Sequence, residues 1–130
     1  MVNPKLLLKS FTYAFEGVIH ALKSDQNLRI HFVIAAIVIV VSVYFRVTPY
    51  EMGILGVVIL LVIITEMINT AIEKMVDLIT KEHHEEAKIA KDVSSGMVFV
   101  AAVGSVIIGI LIFTPYILKL FSSAKYLRFP

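Results

Sequence analysis

Between Asp92 and Lys119 the chain carries no charged residue. A stretch of that length matches the about 20 apolar residues that a helix needs to cross the roughly 30 Å hydrocarbon core of a bilayer. In hydrocarbon every peptide N–H and C=O must be bonded within the chain, so the stretch has to be helical. Two more apolar blocks precede it. Arg29 and Arg46 bracket the first, broken only by His31 and Ser42, and the second runs from Ile54 to Ile64. With 58% hydrophobic and 17% charged residues in 130, the chain is too apolar for a soluble domain of its size. The expected fold is an all-α membrane protein, one domain over 1–130, with spans at about 28–46, 49–70 and 95–118.

Signals at the block ends refine this. Lys5, Lys9, Thr12, Glu16, His20 and Lys23 share one face of a helix over 5–23, and Leu8, Phe11, Phe15, Val18, Ile19 and Leu22 share the other. Such an amphipathic helix beside membrane spans is expected to lie along the bilayer surface. Leu6 to Leu8 is too short for a signal-peptide core, and no cleavage pattern follows. Ser24-Asp25-Gln26-Asn27 breaks the pattern and offers a cap for the next helix. The first span is short, so its helix is expected to start before Arg29, whose side chain would reach toward headgroups. Thr48-Pro49-Tyr50-Glu51 is a helix start, with Thr at the N-cap, Pro at N1 and Glu at N3. From Pro49 toward Thr80 no proline intervenes, and a helix of that length is about 45 Å long. It outruns the hydrocarbon, so Glu66 is expected near the far interface, with Glu73 and Asp77 beyond it in water. Ala101, Ser105 and Gly109 form a small-residue stripe that lets helices approach. Thr114-Pro115 is expected to kink or end the third span, and Ser122 to Pro130 to form a tail.

The second span carries the polar chemistry. Glu66, Asn69, Glu73 and Asp77 fall within an arc of about 80° on one helix face. Ile64, Ile68 and Met75 take the opposite face. Carboxylates lined up this closely repel one another and call for cations. Their hard oxygens suit magnesium, calcium or manganese. A solvated helix end would show the same residues. Against that, the stripe begins inside the apolar segment and Lys74 lies off the polar line.

Topology puts Lys5, Lys9, Lys23, Arg29, Lys74, Lys81, Lys88 and Lys91 on one side of the membrane, and Arg46, Lys119, Lys125 and Arg128 on the other. The positive-inside rule makes the Glu66 side cytoplasmic. A net charge of +2 and the lack of a basic, aromatic-studded patch argue against nucleic acid as a partner. Without cysteine there are no disulfides and no thiolate metal sites. His83-His84-Glu85-Glu86 is not an H-E-x-x-H zinc motif, and neither a P-loop nor a protein-kinase glycine loop is present. Lys88, Lys91, Asp92 and Ser95 share a face at the start of the third span. The combination suits a reaction between a lipid headgroup and a metal-bound anion. Glu66 would act as general base on a lipid hydroxyl, Glu73 would hold magnesium and Lys91 would bind phosphate. Ion or proton translocation competes, since intramembrane acids often mark ion paths.

Glu66-x-x-Asn69-Thr-Ala-Ile-Glu73-x-x-Val-Asp77 followed by Ala90-Lys91-Asp92-x-x-Ser95 resembles the signature of the small prokaryotic integral-membrane diacylglycerol kinase and undecaprenol kinase family. The resemblance covers about residues 5 to 118. It implies a homotrimer of three-span subunits with an N-terminal surface helix, in the bacterial cell membrane. It also implies ATP as co-substrate and Mg2+ as cofactor for phosphorylating a lipid alcohol. Carried over, Glu66 matches the catalytic base and Glu73 a metal ligand. Glu66, Asn69 and Ser95 match the lipid-substrate side. Tyr13, Asp77, Glu82, His83, His84, Lys91 and Asp92 match the nucleotide side. A second metal ligand, Glu in the family, falls on Asp25, one methylene shorter. The Asn27-Leu28-Arg29-Ile30-His31 run and the absence of Trp look more like the undecaprenol kinase branch than the diacylglycerol branch.

Overall fold

The computed structural model describes residues 3–82 and 84–126, with side chains through Ser122. These residues form four helices: α1 (Pro4–Ser24), α2 (Gln26–Phe45), α3 (Pro49–Ile79) and α4 (Glu85–Tyr126). The last three are long and apolar enough to cross a membrane. Packing is densest between α3 and α4, weaker between α2 and α3, and slight between α1 and α2.

Each joint has a local cause. Asn3 caps α1 by accepting from the Lys5 N–H at 3.1 Å, and Pro4 follows at N1. At the other end of α1, Arg29 folds back and donates through Nη1 to the carbonyls of Leu22 and Lys23, both at 3.1 Å. This corrects the expectation that Arg29 reaches for headgroups. The last carbonyls of a helix lack partners and carry partial negative charge, and a guanidinium one turn into the next helix satisfies them. Asp25 ends α1 and caps α2, its Oδ1 accepting from the Asn27 N–H at 2.8 Å and the Leu28 N–H at 3.4 Å.

Arg46 ends α2 in the left-handed conformation, φ 53 and ψ 47. The Val47 N–H bonds the Ser42 carbonyl at 3.0 Å and the Arg46 N–H the Val43 carbonyl at 3.1 Å, a Schellman closure. It costs about 1–2 kcal/mol at a non-glycine residue and turns the chain sharply enough for Thr48 to start α3 two residues later. The Thr48–Glu51 capping box is complete. Val47, Leu55 and Ile112 form a small core at this end, and Tyr116 of α4 donates to Glu51 Oε2 at 2.6 Å.

Of the kink or end expected at Thr114-Pro115, the end does not occur: α4 runs through the proline to Tyr126. Residues 122–126 are helical rather than a tail, while 127–130 lie outside the described residues. One missing N–H costs a single bond, whereas ending the helix in hydrocarbon would strand several polar groups. Much of the charged segment after Lys81 is likewise helical, from Glu85 onward. Within the single chain, a Cβ added at Gly109 of the small-residue stripe meets nothing within 4 Å.

The buried residues of α3 are Leu55, Val62, Glu66, Asn69 and Thr70. They form one face, and that face changes from apolar to polar at Glu66.

Candidate active site

Three helices converge on the polar half of the α3 face. Glu66 is 2% exposed, and its Oε1 has no hydrogen-bond partner among the described residues. Its carboxylate neighbours are Asp25, at the α1–α2 joint, and Glu73, two turns on. A buried carboxylate oxygen without a donor is costly. Glu66 lines a cavity of about 310 Å3, together with Asn27, His31, Asn69, Ser95 and Phe99. A ligand hydroxyl entering the cavity would supply the missing donor.

Around Glu66 the other polar groups are tied down. Asn69 donates through Nδ2 to Glu73 Oε1 at 3.2 Å. Asn69 Oδ1 accepts from Ser94 of α4 at 2.6 Å, with Ser95 Oγ farther off at 3.4 Å. Thr70 donates to Asp25 Oδ2 at 2.5 Å. Burial pushes the Asp25 carboxyl up, but the Thr70 hydroxyl and the Asn27 and Leu28 N–H groups outweigh it. Together they hold Asp25 below the usual carboxylate range. Asp25 is therefore a helix cap through one oxygen and a tertiary contact through the other.

A second, open cavity of about 590 Å3 lies where α3 runs out and α4 begins. Asp77, Lys81, Glu82, His84, Lys88 and Lys91 line it. Lys91 pairs with Asp77 at 2.5 Å, and His84 lies 3.9 Å from Glu82. The Lys91–Asp77 pair is well exposed, so it holds little energy and opens at small cost. Lys81, Lys88 and Lys91 make the cavity lining cationic beside Asp77 and Glu82.

Of the residues marked from sequence, Glu66, Asn69 and Ser95 share the first cavity. Asp77, Glu82, His84 and Lys91 share the second. Glu73 joins the first group through Asn69, and Asp25 through Thr70. Tyr13 stands exposed on α1, with the Lys9 ammonium 5.9 Å from its ring centroid, and lines neither cavity. Asp92 is exposed and has no ion-pair partner among the described residues. His83 lies outside the described residues.

Among the described residues no three His, Cys, Asp or Glu side chains converge on one point. The donors near Glu66 are hard oxygens, offered one or two at a time. That donor set fits magnesium bound partly by a nucleotide's phosphates, since magnesium takes one or two carboxylates and completes its shell from substrate and water.

Three residues of the site went unmarked in the sequence. Thr70 was discoverable, since it follows Glu66 by four residues and so continues its face. Ser94 was masked by its neighbour Ser95. His31 lines the Glu66 cavity and also an apolar groove of about 160 Å3 between α2, α3 and α4.

Comparison with known proteins bears on the same residues. A family model described as prokaryotic diacylglycerol kinase matches residues 12–113. A diacylglycerol kinase of Synechocystis is 39% identical over 120 residues, covering 92% of this chain and 68% of the relative. An undecaprenol kinase of Bacillus subtilis is 40% identical over 107 residues, covering 82% of this chain and 87% of the relative. A diacylglycerol kinase of Escherichia coli K12 is 31% identical over 101 residues, covering 78% and 83%.

Proposed function

The chain belongs to the prokaryotic diacylglycerol kinase family, and we propose from this premise that it transfers the terminal phosphoryl group of ATP to the hydroxyl of undecaprenol. It is a lipid kinase with three helices able to span a bilayer. The observation that carries the mechanism is Glu66, a cavity-lining carboxylate whose Oε1 is buried without a partner among the described residues. Glu66 takes the proton of the lipid hydroxyl as that oxygen bonds the terminal phosphorus. The bond from phosphorus to the bridging oxygen breaks, and ADP leaves. Asn69 and Ser95 line the same cavity and orient the hydroxyl. Glu73 and Asp25 would hold magnesium, which when bound offsets charge on the phosphates. Lys91, freed from Asp77, meets the phosphates as a point charge.

The reading includes an assembly and an orientation. The subunits form a homotrimer in the cell membrane, with the Glu66 side facing the cytoplasm. In support, most of the apolar surface of α2 and α4 is uncovered by the chain itself, and the side bearing Glu66 holds more Lys and Arg. α1 lies on the membrane surface. Its Leu8, Phe11 and Phe15 are all exposed, which suits a helix bedded in lipid.

Undecaprenol is favoured by the Asn27–His31 run. The names of the relatives support diacylglycerol equally. The test is a panel of lipid alcohols offered to purified protein with magnesium and ATP. Faster transfer to diacylglycerol would reverse the substrate assignment. No transfer to any lipid, together with ion flux in liposomes, would replace the kinase reading with ion translocation.

A further inference from the structure

The bonds around Asn69 admit only one arrangement of protons. An ionised Glu73 accepts and cannot donate, so the Asn69 group facing Glu73 Oε1 at 3.2 Å must be the amide nitrogen. The amide oxygen therefore faces α4, where Ser94 Oγ stands 2.6 Å away. The Ser94 hydroxyl has one proton and two takers, Asn69 Oδ1 and the Lys91 carbonyl at 2.9 Å. If the proton went to Lys91, two bare oxygens would face each other at Ser94 and Asn69. Flipping the amide would relieve that contact but set Asn69 Oδ1 against the Glu73 carboxylate. Only one chain of donors is free of conflict: Ser94 to Asn69, and Asn69 to Glu73. Ser94 is 1% exposed and Asn69 5%, so their bond is shielded from bulk water.

We propose that Ser94 is a positioning residue for phosphoryl transfer: its buried hydroxyl locks the Asn69 amide so that the N–H, and not the carbonyl, faces Glu73. The proposal rests on the reading of Glu73 as a magnesium ligand. Ser94 touches neither lipid nor nucleotide and acts only through Asn69. Without it, only the longer Ser95 bond at 3.4 Å still holds Asn69 Oδ1, so the amide turns more easily and the carboxylate that it holds is less firmly placed. A competing role is packing alone, in which Ser94 is merely a small residue where α4 meets α3.

A double-mutant cycle separates these roles. Ser94→Ala, Asn69→Ala and the double variant are purified in mild detergent as full chains. Mn2+ affinity is read by electron paramagnetic resonance with ADP present and no lipid. Ser94→Ala should weaken Mn2+ binding roughly 3- to 10-fold, the worth of one buried hydrogen bond. In the Asn69→Ala background it should change nothing, because the lever it works through is gone. Ser94→Cys keeps the volume with a weak donor and should fall between the two. Equal losses in both backgrounds would show a packing role and overturn the proposal, as would unchanged affinity in Ser94→Ala. No phosphate transfer is measured, so a failure of the kinase reading would leave this result standing. A failure of the relay would in turn leave wild-type transfer to lipid intact.

Discussion

Thr70 Oγ1 donates to Asp25 Oδ2 at 2.5 Å, joining residues 45 apart in the chain. One oxygen of Asp25 starts α2, and the other is held by the polar face of α3. The joint between the first two helices is thereby fixed to the helix that carries Glu66 and Glu73. A change at Thr70 should be felt both in stability and in the placement of Asp25.

Thr70→Val keeps the shape and removes the donor. Because Asp25 titrates below its ordinary range in the folded protein, its contribution is present above the unfolded value of about 3.9 and lost as pH falls through the folded one. Removing the bond raises the folded value and shrinks that contribution. Thermal unfolding should therefore come at lower temperature than wild type near neutral pH, with the gap closing as Asp25 is protonated in acid. A constant gap across the whole range would mean that Thr70 acts by packing.

Glu73→Gln retains size and hydrogen bonding but loses the charge that attracts magnesium. Activity should fall at least tenfold at ordinary magnesium, and high magnesium should restore part of it. Asp25→Asn should behave alike but more mildly if Asp25 is a ligand, whereas a cap alone would leave activity nearly unchanged, because Asn caps a helix as well as Asp does. Titrating magnesium against rate for both variants checks this. Unchanged magnesium dependence in Asp25→Asn would leave Asp25 a structural cap.

Glu66→Gln preserves shape and polarity and cannot take a proton. The chemical step should slow by roughly 10²- to 10⁴-fold, the usual worth of a general base. Nucleotide binding should survive, since Glu66 lines the smaller cavity and not the one lined by Lys91. Single-turnover transfer and ATP affinity, measured on one preparation, decide the matter. Near-normal transfer with intact binding would falsify the base assignment.

Assembly is the fourth expectation. Glu73 is only half-buried, and the large apolar side chains of α2 and α4, such as Val40, Val100 and Leu111, are mostly exposed within one chain. Polar groups at membrane depth need shielding from lipid. Mass measurement of the protein in a mild detergent should find three copies. An active monomer as the sole species would refute the trimer.

The sequence by itself determined the helices and much of the polar line. A charge-free run after Asp92, a Thr-Pro-x-Glu start at Thr48 and four polar residues at helical spacing are local signals, and hydrocarbon leaves the backbone no alternative to helix. The spacing also showed that Glu66, Asn69, Glu73 and Asp77 share a face. It did not show which of them would be buried, because burial depends on what packs against that face. Helix length had put Asp77 in water, as found, but only the tertiary structure decided that Glu66 is enclosed and that Asp77 pairs with Lys91. It alone brought Ser94 to Asn69, Thr70 to Asp25 and Arg29 to the end of α1. These bonds join different helices or bridge a helix joint, and their cause lies in how the elements meet. A one-dimensional pattern records the periodicity of each helix, but not the rotation and depth at which two helices lock together.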